Sequence, residues 1–236
     1  MSSDARPLAV VTGVSSGIGQ AIAHKLLQEG WHVHGLDIAP QQTPSEHATH
    51  WCVDLTDSVA LNQVLDKVLS QGVPTALVHA AGILRVGALG DLKPEEGAQM
   101  WRLHVDVATQ LANRVLPLMH QQKQGRMVMV GSRVSVGIAG RSQYAASKAA
   151  LVSLARSWAA ESIAMGVTVN VVSPAATDTA MLKDPARAQT APKLPPLGRL
   201  IQADEVASLV AYLLGPQASA ITGQDIAICG GSSVQR

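Results

Sequence analysis

The chain has 236 residues, of which 47% are hydrophobic and 15% are charged. This balance excludes a disordered chain, because disorder requires low hydrophobicity and high charge, and the length fits one large α/β domain. The 18 basic and 17 acidic residues leave a net charge of +1. A nucleic-acid or membrane-surface protein would need a basic excess, so these classes are not expected.

Cysteine usage and the N-terminal region bear on the compartment. Cys52 and Cys229 are far apart, in no metal-like spacing, and cannot form a disulfide framework. The first apolar run, residues 8–11, is too short for a signal peptide or a membrane span. We therefore expect a reduced, cytoplasmic protein without a metal site.

Short β-rich runs alternate with longer helical patterns along the chain. Strands are predicted at residues 8–12, 31–37, 51–53, 75–79, 126–131, 167–172 and 225–229. Helices are predicted at residues 19–28, 59–69, 95–119, 144–165 and 203–214. The sequence has no Phe, so its core must consist of Val, Leu, Ile and Ala. Such a core and such an alternation are typical of a parallel sheet covered on both faces by helices.

One stretch, at about residues 180–200, has no period and contains four prolines, Pro185, Pro192, Pro195 and Pro196. Aperiodic segments of this length inside a compact domain are usually functional lids or disordered. We expect a lid over the substrate site.

A glycine-rich turn follows the first predicted strand. Its glycines allow a sharp turn and a close approach to a pyrophosphate, which would lie at the N-terminus of the next helix. The acidic residue expected about 20 positions later is Asp37. The turn residues predicted to contact a dinucleotide are Gly13, Ser15, Ser16, Gly17, Ile18 and Gly19.

Asp37 and the adjacent Ile38 are expected to contact the cofactor, and Asp37 indicates whether that cofactor is NAD or NADP. Its carboxylate can accept both ribose hydroxyls of NAD and would repel the 2′-phosphate of NADP. No Arg or Lys lies in residues 14–16 or 38–42 to neutralise that phosphate. NAD is therefore the expected cofactor.

A candidate catalytic group lies in the second half of the chain. Tyr144 and Lys148 are four residues apart in a helical stretch, so they share one helix face. A nearby ammonium favours the phenolate, which can take a proton from an alcohol while its carbon gives hydride to a nicotinamide. Ser132 follows the fifth strand and is placed to hydrogen-bond the same oxygen.

Together these motifs resemble the short-chain dehydrogenase/reductase family over nearly the whole chain. The resemblance implies a single-domain Rossmann-type fold over residues 1–236, with a doubly wound parallel sheet in three α/β/α layers. It implies that Tyr144 is the acid/base, that Lys148 tunes Tyr144 and binds ribose, and that Ser132 orients the substrate. It also implies further cofactor contacts from Asp54, Leu55, Ala80, Ala81, Gly82, Pro174, Thr177 and Thr179.

Residues 80–87, 171–179 and 224–226 resemble a narrower group of the family. Its members oxidise 2,3-dihydro-2,3-dihydroxybenzoate to 2,3-dihydroxybenzoate, a catecholate siderophore precursor. Arginine can clamp a carboxylate through two hydrogen bonds, which fits a carboxylated cyclic alcohol as substrate. The predicted substrate contacts are Arg85, Arg133, Arg141 and Met181. Family resemblance also implies a homo-oligomer, a dimer or a tetramer, formed through helix residues 149–160.

Two histidines depart from the family pattern. His104 stands where the family usually has an Asn that supports a proton relay, and His79 replaces another Asn. A histidine at position 104 can either relay protons or serve only as a packing residue. The sequence leaves both roles open for His104. Two other functions stay open: a carbonyl reductase acting on 3-oxoacyl groups or small ketones, and a dinucleotide-binding sensor or scaffold without catalysis.

Overall fold

The computed structural model describes residues 6–40, 45–183 and 194–234. These residues form a seven-stranded parallel sheet with helices on its faces. Its strands are β1 (Leu8–Thr12), β2 (His32–Asp37), β3 (Ala48–Cys52), β4 (Ala76–His79), β5 (Gly125–Val130), β6 (Val167–Pro174) and β7 (Asp225–Ile228). Their order in the sheet is β3-β2-β1-β4-β5-β6-β7. The doubly wound, Rossmann-type prediction is confirmed.

Helices cover both faces of this sheet. They are α1 (Gly17–Gln28), α2 (Ser58–Gln71), α3 (Pro94–Trp101), α4 (Val107–Gln122), α5 (Ser142–Ser162) and α6 (Ala203–Leu214). One apolar core lies between the sheet and α2, α4 and α5, and a second lies between the sheet and α1 and α6. Both are built from Val, Leu, Ile, Ala and Met, as the absence of Phe requires.

Several helix ends form where side-chain chemistry favours them. Asp57 caps α2 by accepting from the backbone N–H groups of Val59 and Ala60, both at 3.0 Å. Gln202 and Glu205 form a capping box at the start of α6. Gly30 takes a positive φ of 85° just after α1, a conformation that glycine commonly supplies where a helix ends.

The predicted helix over residues 95–119 is wrong in one respect. The structure has α3, then a π-helical segment over Arg102–Asp106, then α4. Apolar residues continue at helical spacing through Met100, Leu103, Val107 and Leu111, so the widened turn leaves no mark on the sequence pattern.

Other element boundaries also differ from the prediction. Strand β3 begins at Ala48 rather than at the predicted residue 51. The sequence did not indicate this earlier start, because an edge strand with half-buried side chains lacks the apolar run that identifies a central strand. Helix α1 begins at Gly17 rather than residue 19. The 144–165 prediction corresponds to α5 followed by a 3₁₀ turn, Ile163–Met165.

The direction in which the strands succeed one another reverses between β1 and β4. Ligands of such sheets bind at this point, outside the carboxyl ends of the strands. About half of the predicted lid, residues 184–193 with Pro185 and Pro192, lies outside the described residues. Among the helices that are described, none is both long and apolar enough to cross a membrane.

Candidate active site

A cavity of about 670 Å³ opens at the carboxyl edge of the sheet, beside the switch point. It brings together most of the predicted cofactor and catalytic residues. Those lining it are Gly13, Ser16, Gly17, Ile18, Gly19, Asp37, Ile38, Asp54, Leu55, Ala80, Ala81, Gly82, Ser132, Tyr144, Lys148, Pro174, Thr177 and Thr179.

Glycines shape the floor of the cavity. Gly13 has φ +76°, and a Cβ there would lie 2.8 Å from the backbone of Ala81. A Cβ on Gly19 would lie 2.1 Å from the carbonyl oxygen of Gly13, so α1 can start this close to β1 only without a side chain. Ser16, the N-cap of α1, makes no side-chain capping bond. The first N–H groups of α1 are thus available to a pyrophosphate, and this floor fits a dinucleotide.

Asp37, at the end of β2, is held in place by backbone donors. Its Oδ2 accepts from Ser15 N–H at 3.0 Å, and its Oδ1 accepts from Ala39 N–H at 2.9 Å. Each carboxylate oxygen has a further lone pair for a ribose hydroxyl. Ser15 itself does not line the cavity, and its hydroxyl donates to Ala39 O at 3.2 Å. Ser15 thus lies behind Asp37, outside the lining of the cavity.

Tyr144 and Lys148 lie one turn apart on α5 and line the same cavity. The Lys148 Nζ is 5.9 Å from the centroid of the Tyr144 ring and donates to Val130 O at 2.8 Å. Burial lowers the pKa of Lys148 to about 7. Ser132 follows β5, and its hydroxyl oxygen accepts from Val134 N–H at 3.4 Å.

Of the predicted substrate residues, Arg133, Arg141 and Met181 line the cavity and Arg85 does not. The Arg85 guanidinium donates to its neighbouring carbonyl, Leu84 O, at 3.2 Å. Arg85 closely follows the lining residues Ala80, Ala81 and Gly82 in sequence, but it is not itself part of the cavity lining.

His104 lies in the π-helical segment and is fully buried. It does not line the cavity, although its ring packs edge-on against Tyr144 with the centroids 5.7 Å apart. Desolvation, followed by the nearby Lys148 charge, lowers the pKa of His104 far below its usual value. The ring is therefore neutral, and both of its nitrogens are engaged in hydrogen bonds.

Other lining residues carry no motif that sequence reasoning could use. Ser232 is the clearest example, since it lies 99 positions after Arg133 and its carbonyl oxygen is 3.5 Å from the Arg133 guanidinium. The adjacent glycines 230 and 231, both with positive φ, return the chain to the cavity after β7. That glycine pair is the only signal that could have indicated the turn.

Comparison with known proteins agrees with this geometry. The sequence model of a family described as Enoyl-(Acyl carrier protein) reductase matches residues 13–233. The chain belongs to the short-chain dehydrogenase/reductase family. It is an oxidoreductase of that family.

Relatives with similar sequence identity to this chain are named for different substrates. The chain is 37% identical to 2,3-dihydro-2,3-dihydroxybenzoate dehydrogenase of Escherichia coli K12, over 95% of this chain and 96% of the relative. It is 34% identical to 3-oxoacyl-[acyl-carrier-protein] reductase of Salmonella typhimurium, with the same shares covered. The solved aldohexose dehydrogenase of Thermoplasma acidophilum superposes with a TM-score of 0.90 at 26% identity, covering 98% of this chain and 95% of that one.

Proposed function

We propose that this protein is an NAD-dependent dehydrogenase that oxidises a carboxylated cyclic diol, with 2,3-dihydro-2,3-dihydroxybenzoate as the first candidate. The observation that carries the proposal is the charge distribution of the cavity. Arg133 and Arg141 line it together with Tyr144, whereas the acidic residues among its described lining are Asp37 and Asp54. A carboxylate would be attracted to the first group and repelled by the second.

The acidic and the basic group lie at the ends of different strands of the sheet. Asp37 ends β2 and Ser132 follows β5, and three strand spacings, about 14 Å, lie between those strands. A dinucleotide held with its adenosine ribose at Asp37 would cross the glycine floor and end near Tyr144. The anionic substrate would then bind at the basic end.

Tyr144 would act as the base. When bound, NAD accepts a hydride from the carbon that carries the hydroxyl. Tyr144 takes the hydroxyl proton, so the alcohol becomes a carbonyl, and a cyclohexadiene product then tautomerises to the catechol. When it is protonated, Lys148 would favour the phenolate of Tyr144, and Ser132 would hold the oxygen that loses its proton.

Cofactor choice is tested by replacing Asp37. Asp37→Ala removes the ribose acceptor and the carboxylate that repels a 2′-phosphate, so the ratio of kcat/KM for NAD to that for NADP should fall at least about tenfold. The matched control is Asp54→Ala, which lies at the same end of the cavity but is expected to change both cofactors alike. An unchanged ratio in the Asp37 variant would refute the assignment of the ribose site.

The substrate class is tested with two arginines. Arg133→Ala should raise KM for the carboxylated diol about tenfold or more while leaving KM for an uncharged cyclic diol within about threefold. Arg85→Ala serves as the control, because Arg85 is adjacent in sequence to a residue that lines the cavity but is not part of the lining itself. Equal effects of Arg133→Ala on the charged and uncharged diols would contradict a carboxylate site.

A 3-oxoacyl reductase is the second candidate, favoured by the relatives that are 34% identical. Basic residues at the cavity would also suit an acidic carrier protein. A reductase would use NADPH with a 3-oxoacyl thioester, so measuring both substrates with both cofactors separates the candidates. A non-catalytic sensor is disfavoured because Ser132, Tyr144 and Lys148 are all present at one cavity.

The family resemblance supports two further features of the proposal. One is a homo-oligomer, a dimer or a tetramer, that uses α5, which sedimentation equilibrium tests. The other is a cytoplasmic role in catecholate siderophore biosynthesis.

A further inference from the structure

His104 is joined to two parts of the active site by its ring nitrogens. The backbone N–H of Ile83 donates to Nε2 at 3.1 Å, so Nε2 carries no proton. In a neutral ring the proton is therefore on Nδ1, which lies 2.9 Å from the Ser147 hydroxyl oxygen. The Ser147 hydroxyl in turn donates to the carbonyl oxygen of Tyr144 at 2.9 Å. One chain of hydrogen bonds thus runs from the cofactor loop, residues 80–83, to the backbone of Tyr144.

His79 supports the other end of the same loop. Leu103 O can only accept, so the His79 Nε2, 3.1 Å away, carries the proton of that ring. The Thr12 hydroxyl then donates to Nδ1 at 2.9 Å and accepts from the N–H groups of Ala80 and Ala81, each at 3.1 Å. The two chains thus involve neighbouring residues of the π-helical segment: the first passes through the ring of His104, and the second ends at the carbonyl oxygen of Leu103.

The space around these bonds is closely filled. His104 is 0% exposed, and His79 and Ser147 are each 1% exposed. A Cβ added to Gly82 would lie 3.1 Å from His104 Nε2 and 3.5 Å from Lys148 Nζ. The loop, the π-helical segment and the catalytic lysine therefore have no room to move independently.

We propose that His104 is a positioning residue, which through Ser147 fixes the backbone of Tyr144 relative to the cofactor loop 80–83, and that its ring does not relay protons. Both ring nitrogens are already engaged: Nε2 accepts from the Ile83 N–H, and Nδ1 donates to the Ser147 hydroxyl, which in turn donates to a backbone carbonyl. This proposal rests on the proposed function, because Tyr144 is the residue that is positioned.

The chain offers a matched control for the test. His120 Nε2 lies 2.9 Å from the Ser162 hydroxyl, which is a second histidine–serine contact between α4 and α5, away from the cavity. Ser147→Ala should lower kcat about tenfold while KM for NAD changes less than about threefold, because misplacing a reacting group slows the chemical step. Ser162→Ala should leave kcat unchanged within about twofold. Equal kcat in the two variants would overturn the proposal.

A second measurement needs no turnover and no variant. Long-range ¹H–¹⁵N NMR of the unmodified protein distinguishes histidine tautomers, and it should find the proton of His104 on Nδ1 and that of His79 on Nε2. A His104 ring protonated on Nε2 would contradict the proposal even if the enzyme were active. If the protein oxidises no alcohol, the proposed function fails, while the tautomers still report whether the hydrogen-bond chains exist.

Discussion

Tyr144→Phe is expected to lower kcat about 1000-fold and to leave the Kd of NAD within about threefold. The change removes the phenol oxygen that takes the substrate proton but keeps the ring, which packs against His104. Stopped-flow or steady-state rates of NADH formation measure kcat, and displacement of fluorescent NADH by added NAD measures the Kd of NAD.

The second tyrosine of the chain provides the control. Tyr212 lies on α6 and is 49% exposed, and α6 packs on the opposite face of the sheet from α5. Tyr212→Phe should keep the rate of the unmodified enzyme. A Tyr144→Phe variant that turns over at a near-normal rate would remove Tyr144 from the role of base.

Acid should destabilise the fold steeply below pH 6.5. Burial lowers the pKa of His34 to about 4 and that of His79 to about 3, and it also lowers the pKa of His104. The unfolded chain binds protons at these residues near pH 6.5, whereas the folded chain does not. Stability is thus fully present above pH 6.5 and is lost as the pH falls towards the folded-state values, by up to about 4 kcal/mol per pH unit for three histidines.

The variant His34→Gln tests the contribution of one of these three histidines to the loss of stability in acid. Trp51 Nε1–H donates to His34 Nδ1 at 3.1 Å, and the Gln carbonyl can accept that bond instead. Urea unfolding between pH 7.5 and 4.5 should give a free energy of unfolding that falls about 1 kcal/mol per pH unit less steeply in the variant. Parallel curves for the two proteins would mean that His34 is not held neutral in the folded state.

The fold was predictable because its signals are local. The apolar run 8–12 matches β1 residue for residue, and the glycine turn, Asp37 and the Tyr144–Lys148 pair have fixed positions relative to strands and helices. A parallel sheet then places the ends of different strands at one edge, so that these residues meet in one cavity.

What the sequence did not predict depends on side-chain direction and long-range contact. Arg85 and Ser15 are adjacent in sequence to cavity residues but direct their polar atoms to Leu84 O and Ala39 O. The bonds of His104 depend on a π-helical segment that leaves the apolar period intact. Ser232 reaches the cavity only through the turn after β7, which a local pattern cannot locate.

The account is tested most directly by mixing the unmodified protein with 2,3-dihydro-2,3-dihydroxybenzoate and either NAD or NADP, and following the near-ultraviolet absorbance of the reduced cofactor. We predict reduced cofactor and catechol in equal amounts, with kcat/KM at least about tenfold higher for NAD than for NADP. No oxidation of this or any other carboxylated cyclic alcohol, together with NADPH-dependent reduction of a 3-oxoacyl thioester, would contradict it.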